Sequence, residues 1–181
     1  GDAQSVDPRE LTPAPRVLCG NLPYQITGSL LERAVGFADD LTRVVFMVQL
    51  EVADRLAAEP GTKAYGALTI FVRAAFRSKK LFTVSPGSFH PPPDVTSAVV
   101  RLEPERRTAE TETFRKLVKG AFGARRKTLR NAWSAVAPAA AIAAAAKEAG
   151  VSLDARGETL SVDAFAAMAR ALDEGIFTQE S

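Results

Sequence analysis

The sequence predicts an α/β fold, in which a sheet with parallel strands is followed by a small all-helical domain. Up to Pro104, short apolar runs rich in valine and phenylalanine alternate with helical patterns, as in an α/β sheet. After Pro104 the apolar spacing is purely helical and the chain is rich in alanine. This change of pattern predicts two domains, residues 1–104 and residues 105–181, with the polar segment 103–112 as the linker.

The first domain contains four predicted strands and three predicted helices. The strands are the apolar runs at 16–19, 44–48, 81–84 and 97–102. The continuous run VVFMV at 44–48 is typical of a strand covered on both faces. Helical spacing of apolar residues predicts helices at 30–35, at 51–58 and along Tyr65, Leu68, Val72 and Phe76. The last two strands have no helix between them, so we expect them to form an antiparallel edge.

Four helices are predicted in the second domain, where apolar residues recur at intervals of three and four. They cover residues 114–122, 129–136, 139–149 and 162–172. Gly123 separates the first two helices and Gly150 ends the third. Ser161 is the expected N-cap of the fourth, because its hydroxyl can accept from an amide in the first turn.

The beginning of the chain lacks a feature that a doubly wound sheet normally has. Such a sheet opens with a strand, a glycine-rich turn and a helix that together hold a cofactor. Here sixteen mostly polar residues that include prolines precede Val17. We therefore expect the chain to begin in the middle of a fold.

The composition is that of a globular protein, with 181 residues, 46% of them hydrophobic and 24% charged. It excludes a wholly disordered chain, a collagen-like fibre and a coiled-coil rod. The single cysteine, Cys19, cannot form an internal disulfide, and at the end of an apolar strand it is expected to be a buried small residue. With one histidine besides, His90, we expect no bound transition metal.

Neither a membrane span nor a secretory signal is predicted. No apolar run reaches the roughly 20 residues that cross a bilayer. The N-terminal segment GDAQSVDPRE carries acidic residues and has no apolar core. We therefore expect a cytoplasmic protein without a membrane partner.

Positive charge is concentrated in one segment, although the net charge of the chain is only +2. Between residues 115 and 130 there are seven basic residues and no acidic one. Such a field attracts a polyanion. The alternative is a solvated helix face with no binding role.

The motif Asn21-Leu22-Pro23-Tyr24 follows directly after a predicted strand and suits methylation of an exocyclic amine. The N6 of adenine is a poor nucleophile, because its lone pair is delocalised into the ring. The Asn21 amide oxygen and the Leu22 carbonyl can each accept one N6 hydrogen, and Tyr24 offers an aromatic face for a flipped base. No metal is needed, because a methylsulfonium transfers its methyl group without assistance. The alternative is a strand-terminating Asn-x-Pro turn with a packing tyrosine.

Two further segments carry candidate binding residues. In Ser88–Val95, three prolines stiffen a loop, and Phe89 just ahead of them can stack on the other side of a base. The alternative is a rigid loop between two strands, with Phe89 packed into the core of the protein. His90 is expected to be a structural or RNA-contacting residue. In 123–131, phosphate binding by basic side chains and by helix N-terminal amides is expected at Arg125, Arg126, Lys127 and Arg130.

Taken together and in this order, these segments resemble the ribosomal RNA adenine N6,N6-dimethyltransferases, the family that acts on small-subunit rRNA. Five stretches carry the resemblance: GNLPYQIT at 20–27, QLEVADRLAA at 49–58, KAYGALT at 63–69, SFHPPPDVTSAVVRLEP at 88–104 and FGARRKTLRN at 122–131. They extend over most of the chain after Val17.

The resemblance implies a Rossmann-like methyltransferase sheet followed by a small helical rRNA-binding domain. It implies S-adenosylmethionine as the methyl donor and two adjacent adenines near the 3′ end of small-subunit rRNA as substrate, in the pre-30S particle during ribosome biogenesis. The four residues 21–24 match the catalytic motif of the family, and Phe89 matches its aromatic residue ahead of the prolines. Asn21 and Asp2 match residues that contact the cofactor, and 125–130 matches a segment that helps to hold rRNA.

The resemblance also implies that the glycine-rich cofactor loop lies upstream of this sequence. We therefore expect a fragment of the enzyme that binds S-adenosylmethionine weakly or not at all and is inactive alone, with an uncovered sheet edge at the first strand. Two alternatives remain at this point. One is the related class that methylates large-subunit rRNA and confers macrolide resistance, and the other is a non-catalytic RNA-binding module for ribosome assembly.

Overall fold

The computed structural model describes residues 7–11, 13, 16–124 and 126–177. They divide into two compact units. The first, here called the sheet unit, is drawn from residues 1–58 and 71–107. The second, the helical unit, is drawn from residues 59–70 and 108–181.

A four-stranded mixed sheet forms the sheet unit. Its strands, β1 to β4, are Val17–Asn21, Arg43–Gln49, Phe76–Val84 and Ser97–Pro104. Their order across the sheet is β1-β2-β4-β3. β1 and β2 are parallel, whereas β4 is antiparallel to both β2 and β3. The predicted α/β fold with parallel members is confirmed, and β3 is the antiparallel edge.

Seven helices accompany the sheet in the described part of the chain. α1 is Thr27–Gly36, α2 is Leu50–Ala57 and α3 is Ala67–Ala75. The helical unit contributes α4 at Glu112–Gly123, α5 at Leu129–Ala132, α6 at Ala139–Glu148 and α7 at Val162–Phe177. No described helix is both long enough and apolar enough to cross a membrane.

The central strand β2 is buried on one face only. Val44, Phe46 and Val48 are buried, while the residues between them are half-buried. Helix α2 is bonded on this buried face, because Ser78 is in register with Leu102 and Val44 and its hydroxyl donates to the Leu56 carbonyl at 2.9 Å. The expectation of a strand covered on both faces is therefore met only in part, because the face of Val45, Met47 and Gln49 is half-buried.

Two helix predictions need correction at their ends. The spacing from Tyr65 to Phe76 predicted one helix, but α3 begins only after Gly66, whose amide donates to Thr69 Oγ1 at 3.2 Å. Tyr65 packs instead through its hydroxyl, which donates to the Leu160 carbonyl at 2.8 Å, and Phe76 opens β3. Both residues are buried, so apolar spacing could not separate these packing roles from a helical one.

The predicted helix at 129–136 is shorter than expected, since α5 ends at Ala132. After it, the Val136 amide donates to the Trp133 carbonyl at 2.8 Å, which closes a tight turn. Pro138 then stands at the N-cap of α6. A helical turn followed by a tight turn can thus show the same apolar spacing as one longer helix.

The core of the helical unit is built around aromatic rings. Trp133 lies edge-on to Phe165 with ring centroids 6.2 Å apart, and its indole N–H donates to the Leu117 carbonyl at 2.9 Å. Phe122 contacts both Phe165 and Tyr65 at centroid distances of 6.1 Å. Such ring pairs add about 0.5–1.5 kcal/mol each to the burial of their apolar surface.

Two helices of this unit, α4 and α7, begin at a residue whose hydroxyl caps the first turn. The Thr111 side chain accepts from the Phe114 amide at 3.1 Å and begins α4. The Ser161 hydroxyl accepts from the Ala164 amide at 3.1 Å, which confirms the predicted N-cap of α7. After the C-terminal end of α6, Gly150 adopts a positive φ of 65°, which a residue with a side chain rarely adopts.

Cys19 does not lie where the sequence placed it. It is exposed on β1, of which only Leu18 is partly buried. Within the described part of the chain β1 pairs only with β2, so its side chains have fewer neighbours than those of an apolar strand in the middle of a sheet. The expectation of a buried cysteine was therefore wrong.

Candidate active site

The candidate site begins where the parallel strands end. β1 closes with Asn21, which is paired in register with Met47 of β2. The next amide, that of Leu22, still donates to the Met47 carbonyl at 3.0 Å. Ligands of open α/β sheets bind outside the carboxyl ends of their parallel strands, and Asn21 lies at this edge.

A tight turn follows, and the Pro23 carbonyl is its anchor. That carbonyl accepts from the Thr27 hydroxyl at 3.0 Å and from the Ile26 amide at 3.2 Å. Residues 24–26 form a short 3₁₀ turn that leads directly into α1. Thr27 is only 2% exposed, so the bond that fastens the turn is sheltered from water.

The motif and the proline-rich loop line one shared cleft of about 290 Å³. Its walls are Asn21, Leu22, Pro23, Tyr24, Phe89, Pro91 and Pro93. The loop is held by a 3₁₀ turn at 86–88, after which the Phe89 amide donates to the Pro86 carbonyl at 3.1 Å. The structure thus brings together residues 21–24 and Phe89, which are more than sixty positions apart in the chain.

Polar and aromatic groups in this cleft are open to a ligand. The Asn21 side chain is exposed, and no described residue donates to its amide oxygen or to the Leu22 carbonyl. The Leu22 side chain is buried, which fixes its backbone in place. Tyr24 is 37% exposed and Phe89 half-buried, so neither ring lies wholly in the core.

Two hydroxyls near the cleft were not singled out from the sequence. One is Thr27, which holds the turn. The other is Ser97 of β4, whose Oγ lies 3.1 Å from the Tyr24 hydroxyl. Thr27 lies within the stretch 20–27 that carries the resemblance, so the sequence offered a signal for it. No local sequence signal connects Ser97 with Tyr24, which lies 73 positions earlier.

The basic residues predicted to bind RNA lie in the helical unit. Arg126 and Lys127 are exposed in the turn after α4, and Arg130 is exposed on α5. Among the described residues, no carboxylate lies within 4 Å of Arg126 or Lys127, whereas Arg130 is 3.4 Å from Asp154 Oδ1. Two residues of the predicted run, Arg115 and Lys116, pair with Glu110 and Glu112.

Helix N-terminal amides were expected from the sequence to bind phosphate in this basic segment, but the first amides of α5 are not available for that. α5 has only four residues, and its first amides are already bonded. The Leu129 amide donates to the Ala155 carbonyl and the Arg130 amide to the Leu153 carbonyl, both at 2.9 Å. Any phosphate binding here therefore depends on the side chains.

The remaining predictions concern Asp2 and Arg125, His90 and the absence of a metal site. Asp2 and Arg125 lie outside the described residues. His90 is exposed in the proline loop and precedes a cis peptide bond to Pro91. No group of three or more potential metal ligands occurs among the residues that the structure describes.

A second cavity, of about 410 Å³, lies at the opposite, amino ends of the parallel strands. It is lined by Pro8, Arg9, Arg16, Phe37, Asp39, Asp40 and Leu41. A hydrogen bond from the Arg9 side chain lowers the pKa of Asp7 to about 2. None of the predicted site residues that the structure describes borders this cavity, and its mixture of charges favours no single ligand.

Comparison with known proteins identifies relatives for nearly the whole chain. The family profile for ribosomal RNA adenine dimethylase matches residues 11–174. The protein named ribosomal RNA small subunit methyltransferase A of Rhodospirillum rubrum is 43% identical over 176 residues, which are 96% of this chain. Its namesake from Desulfitobacterium hafniense is 48% identical over 162 residues, or 86% of this chain. The match spans 60% and 58% of the length of these two relatives.

Solved structures share the fold. A dimethyladenosine transferase from Plasmodium falciparum superposes with a TM-score of 0.80 over 93% of this chain and 69% of its own, at 24% identity. The 23S rRNA methyltransferase ErmE gives a TM-score of 0.59 over 87% of this chain and 65% of its own, at 22% identity. These likenesses confirm the Rossmann-like fold that the resemblance implied.

Proposed function

This chain belongs to the ribosomal RNA adenine dimethylase family, and on that premise we propose that the whole protein dimethylates N6 of two adjacent adenines in small-subunit rRNA. The observation that carries the proposal is the cleft in which the Asn21 amide and the Leu22 backbone lie beside the Tyr24 and Phe89 rings. The reaction takes place on the pre-30S particle in the cytoplasm, during ribosome biogenesis.

Asn21 and the Leu22 carbonyl have the chemistry to activate an aromatic amine. Each is an acceptor without a described donor, and an adenine N6 has two hydrogens to give. When both hydrogens are held, the nitrogen is drawn toward a tetrahedral shape and its lone pair points away from the ring plane. The groups that hold it are fixed before substrate binds, because Leu22 is bonded to β2 and Pro23 to Thr27.

Tyr24 and Phe89 supply stacking surfaces for the base. An adenine within a helix is out of reach, so an enzyme that methylates it must take the base out of its stack. Stacking on an aromatic side chain recovers about 1–3 kcal/mol of that cost. Both rings border the cleft and neither is buried in the core, so each has an exposed surface on which a base can stack.

The cleft fits the methyl donor that we assign to it, S-adenosylmethionine. That cofactor supplies an electrophilic methyl group when it is bound. Asn21 is an exposed amide with no described partner, at the edge of the sheet where cofactors of α/β proteins bind. Asn21 is thus the described residue that would hold the cofactor, and the resemblance adds Asp2 as a second candidate.

We assign rRNA binding to the predicted second domain, residues 105–181. Arg126, Lys127 and Arg130 are exposed there, and Arg125 lies between Ala124 and Arg126 in the same run. Cations of this kind bind the phosphate backbone by releasing its counterions, with little dependence on base sequence. Base selection then belongs to the cleft and to the shape of the rRNA.

Small-subunit rRNA is favoured over large-subunit rRNA as the substrate. The relatives at 43% and 48% identity are named for the small subunit, whereas the 23S rRNA enzyme is a structural neighbour at 22%. The test is methyl transfer from labelled S-adenosylmethionine, by the full-length protein, to unmethylated small and large subunits. We expect N6,N6-dimethyladenosine in the small subunit only. Label in the large subunit would favour the macrolide-resistance class, and RNA binding without transfer would favour an assembly module.

A further inference from the structure

Ser97 is a buried polar residue whose side chain contacts the candidate site. It begins β4, is 1% exposed, and its Oγ lies 3.1 Å from the Tyr24 hydroxyl. Only two other described polar residues, Thr27 and Thr69, are also buried. A buried hydroxyl is normally paired, because an unpaired one loses its bonds to water without replacement.

The Tyr24 ring needs an anchor more than most aromatic side chains do. It stands on a three-residue turn and is 37% exposed. A ring in that position is free to leave the cleft, and ordering it when a base arrives costs conformational entropy. A bond at the far end of the ring removes that freedom beforehand.

The residue is therefore held at both ends. At the backbone, the Pro23 carbonyl is bonded to the Thr27 hydroxyl, which fixes the turn from which the side chain projects. At the tip, the phenol oxygen meets Ser97 on a strand that pairs with both β2 and β3. A rigid strand is a better support for a binding group than a loop is.

We propose that Ser97 is a positioning residue that holds the Tyr24 ring in the stacking position for the flipped adenine. The assignment rests on the proposed function, since it presupposes that a base stacks on Tyr24. Ser97 itself does not touch the reacting atoms. Its effect is to make the free protein resemble the base-bound one, and this lowers the cost of binding the base.

The competing explanation is that Ser97 is simply a small residue that fits the start of β4. Under that explanation, removal of its hydroxyl changes stability and nothing else. Under the proposal, removal loosens the Tyr24 ring and weakens substrate binding, while the transfer step within the bound complex is little changed.

Two matched readouts separate these explanations. The first is NMR of this chain with tyrosine carrying ¹³C at the ring ε positions, where the two residues are Tyr24 and Tyr65. Tyr65 is buried and bonded to Leu160, so it serves as the internal control. In Ser97→Ala we expect the Tyr24 resonance to move toward the value of free tyrosine while that of Tyr65 stays in place. Tyr24→Phe assigns the signal.

The second readout is the kinetics of methyl transfer by the full-length protein. Loss of one hydrogen bond predicts a rise of about three- to ten-fold in KM for the rRNA substrate in Ser97→Ala, with kcat within about two-fold. Ser97→Thr keeps the hydroxyl and should recover most of the loss. Tyr24→Phe removes the same bond, so adding it to Ser97→Ala should cost little more. The control is Ser78→Ala, which removes another sheet hydroxyl, one bonded to Leu56 rather than to the cleft.

The outcomes are distinct. An unchanged Tyr24 resonance together with an unchanged KM in Ser97→Ala overturns the positioning role. Equal effects of Ser97→Ala and Ser78→Ala on KM also overturn it, because they show a general loss of sheet stability. A wild-type protein that transfers no methyl group contradicts the proposed function instead, and the NMR spectra then still decide whether Ser97 orders the ring.

Discussion

The amide of Leu22 donates to the carbonyl of Met47 at 3.0 Å, one residue beyond the end of β1. This bond extends the parallel ladder into the motif, so the backbone after Asn21 is held by β2 rather than by the loop alone. The carbonyl of Leu22 belongs to the next peptide group and has no described donor. The bond thus fixes an acceptor in place and leaves it free for substrate.

Replacing either aromatic ring of the cleft should weaken substrate binding. Tyr24→Ala or Phe89→Ala removes a stacking surface and is expected to cost about 1–3 kcal/mol. Phe89→Tyr and Phe89→Trp keep an aromatic face, so their losses should be small, whereas Tyr24→Phe keeps the face and loses only the bond to Ser97. The measurement is the KM for the rRNA substrate, with circular dichroism as the check that each variant folds. If alanine and aromatic substitutions cost the same, stacking is not what these residues provide.

The helical unit should be sensitive to a single added methyl group at Gly157. A Cβ there would lie 2.6 Å from Ala121 Cβ and 3.2 Å from the Ala121 carbonyl oxygen, so Gly157→Ala forces either α4 or the turn that carries residue 157 to move. We expect the free energy of unfolding to fall by about 1–3 kcal/mol. Urea titration followed by fluorescence measures it, because Trp133 is the only tryptophan and is fully buried.

The matched control is Gly175→Ala on α7, where an added Cβ has no neighbour within 4 Å. Glycine costs about 0.5–1 kcal/mol relative to alanine inside a helix, so this variant should be slightly more stable than the wild type. Destabilisation by both substitutions to the same extent would contradict the close packing of Gly157 against α4.

The exposed basic residues should determine how strongly RNA binding depends on salt. Neutralising Arg126, Lys127 and Arg130 together removes three phosphate contacts, which lowers the magnitude of the slope of log K against log salt by about two to three units. The slope is measured by titrating a small-subunit rRNA fragment at several salt concentrations. Arg130 should contribute least, because Asp154 already lies 3.4 Å from it.

A control of equal charge tests whether position matters. Lys147, Arg156 and Arg170 are also exposed residues of the helical unit, and their joint replacement by glutamine changes the net charge by the same amount. We expect a smaller change in slope from this set. Equal slopes for the two triple variants would mean that the 126–130 segment is only a solvated helix face.

Much of the sheet unit was predictable, because its strands carry local signals. The run VVFMV lies within β2, and SAVVRL lies within β4. The predictions were wrong at the ends of elements, where packing rather than local sequence decides the boundary. Phe76, for example, is buried in β3 although its spacing fits a helix. Apolar periodicity records which residues are buried, and it cannot tell which element buries them.

The cleft was predictable only as far as its motifs extend. Asn21 to Tyr24 and Phe89 were named from two separate segments, and both segments line the cleft. The role of Ser97 was not predicted, because its contact with Tyr24 depends on how β4 pairs with β2, and no short segment of sequence determines that pairing. The partners of Arg115 and Arg130 also lie outside the basic run, so its charge could not be judged from the run alone.

The most direct test of the account is the single-turnover rate of methyl transfer by full-length Asn21→Ala, compared with the wild type on the same unmethylated small subunits. Asn21→Ala removes one of the two acceptors for the N6 hydrogens while Leu22 stays bonded to Met47. Removal of such a preorganised group predicts a fall of about 10²-fold or more in rate. A rate near that of the wild type, in a variant that still binds the subunit, would contradict the role of Asn21 in holding the adenine amine.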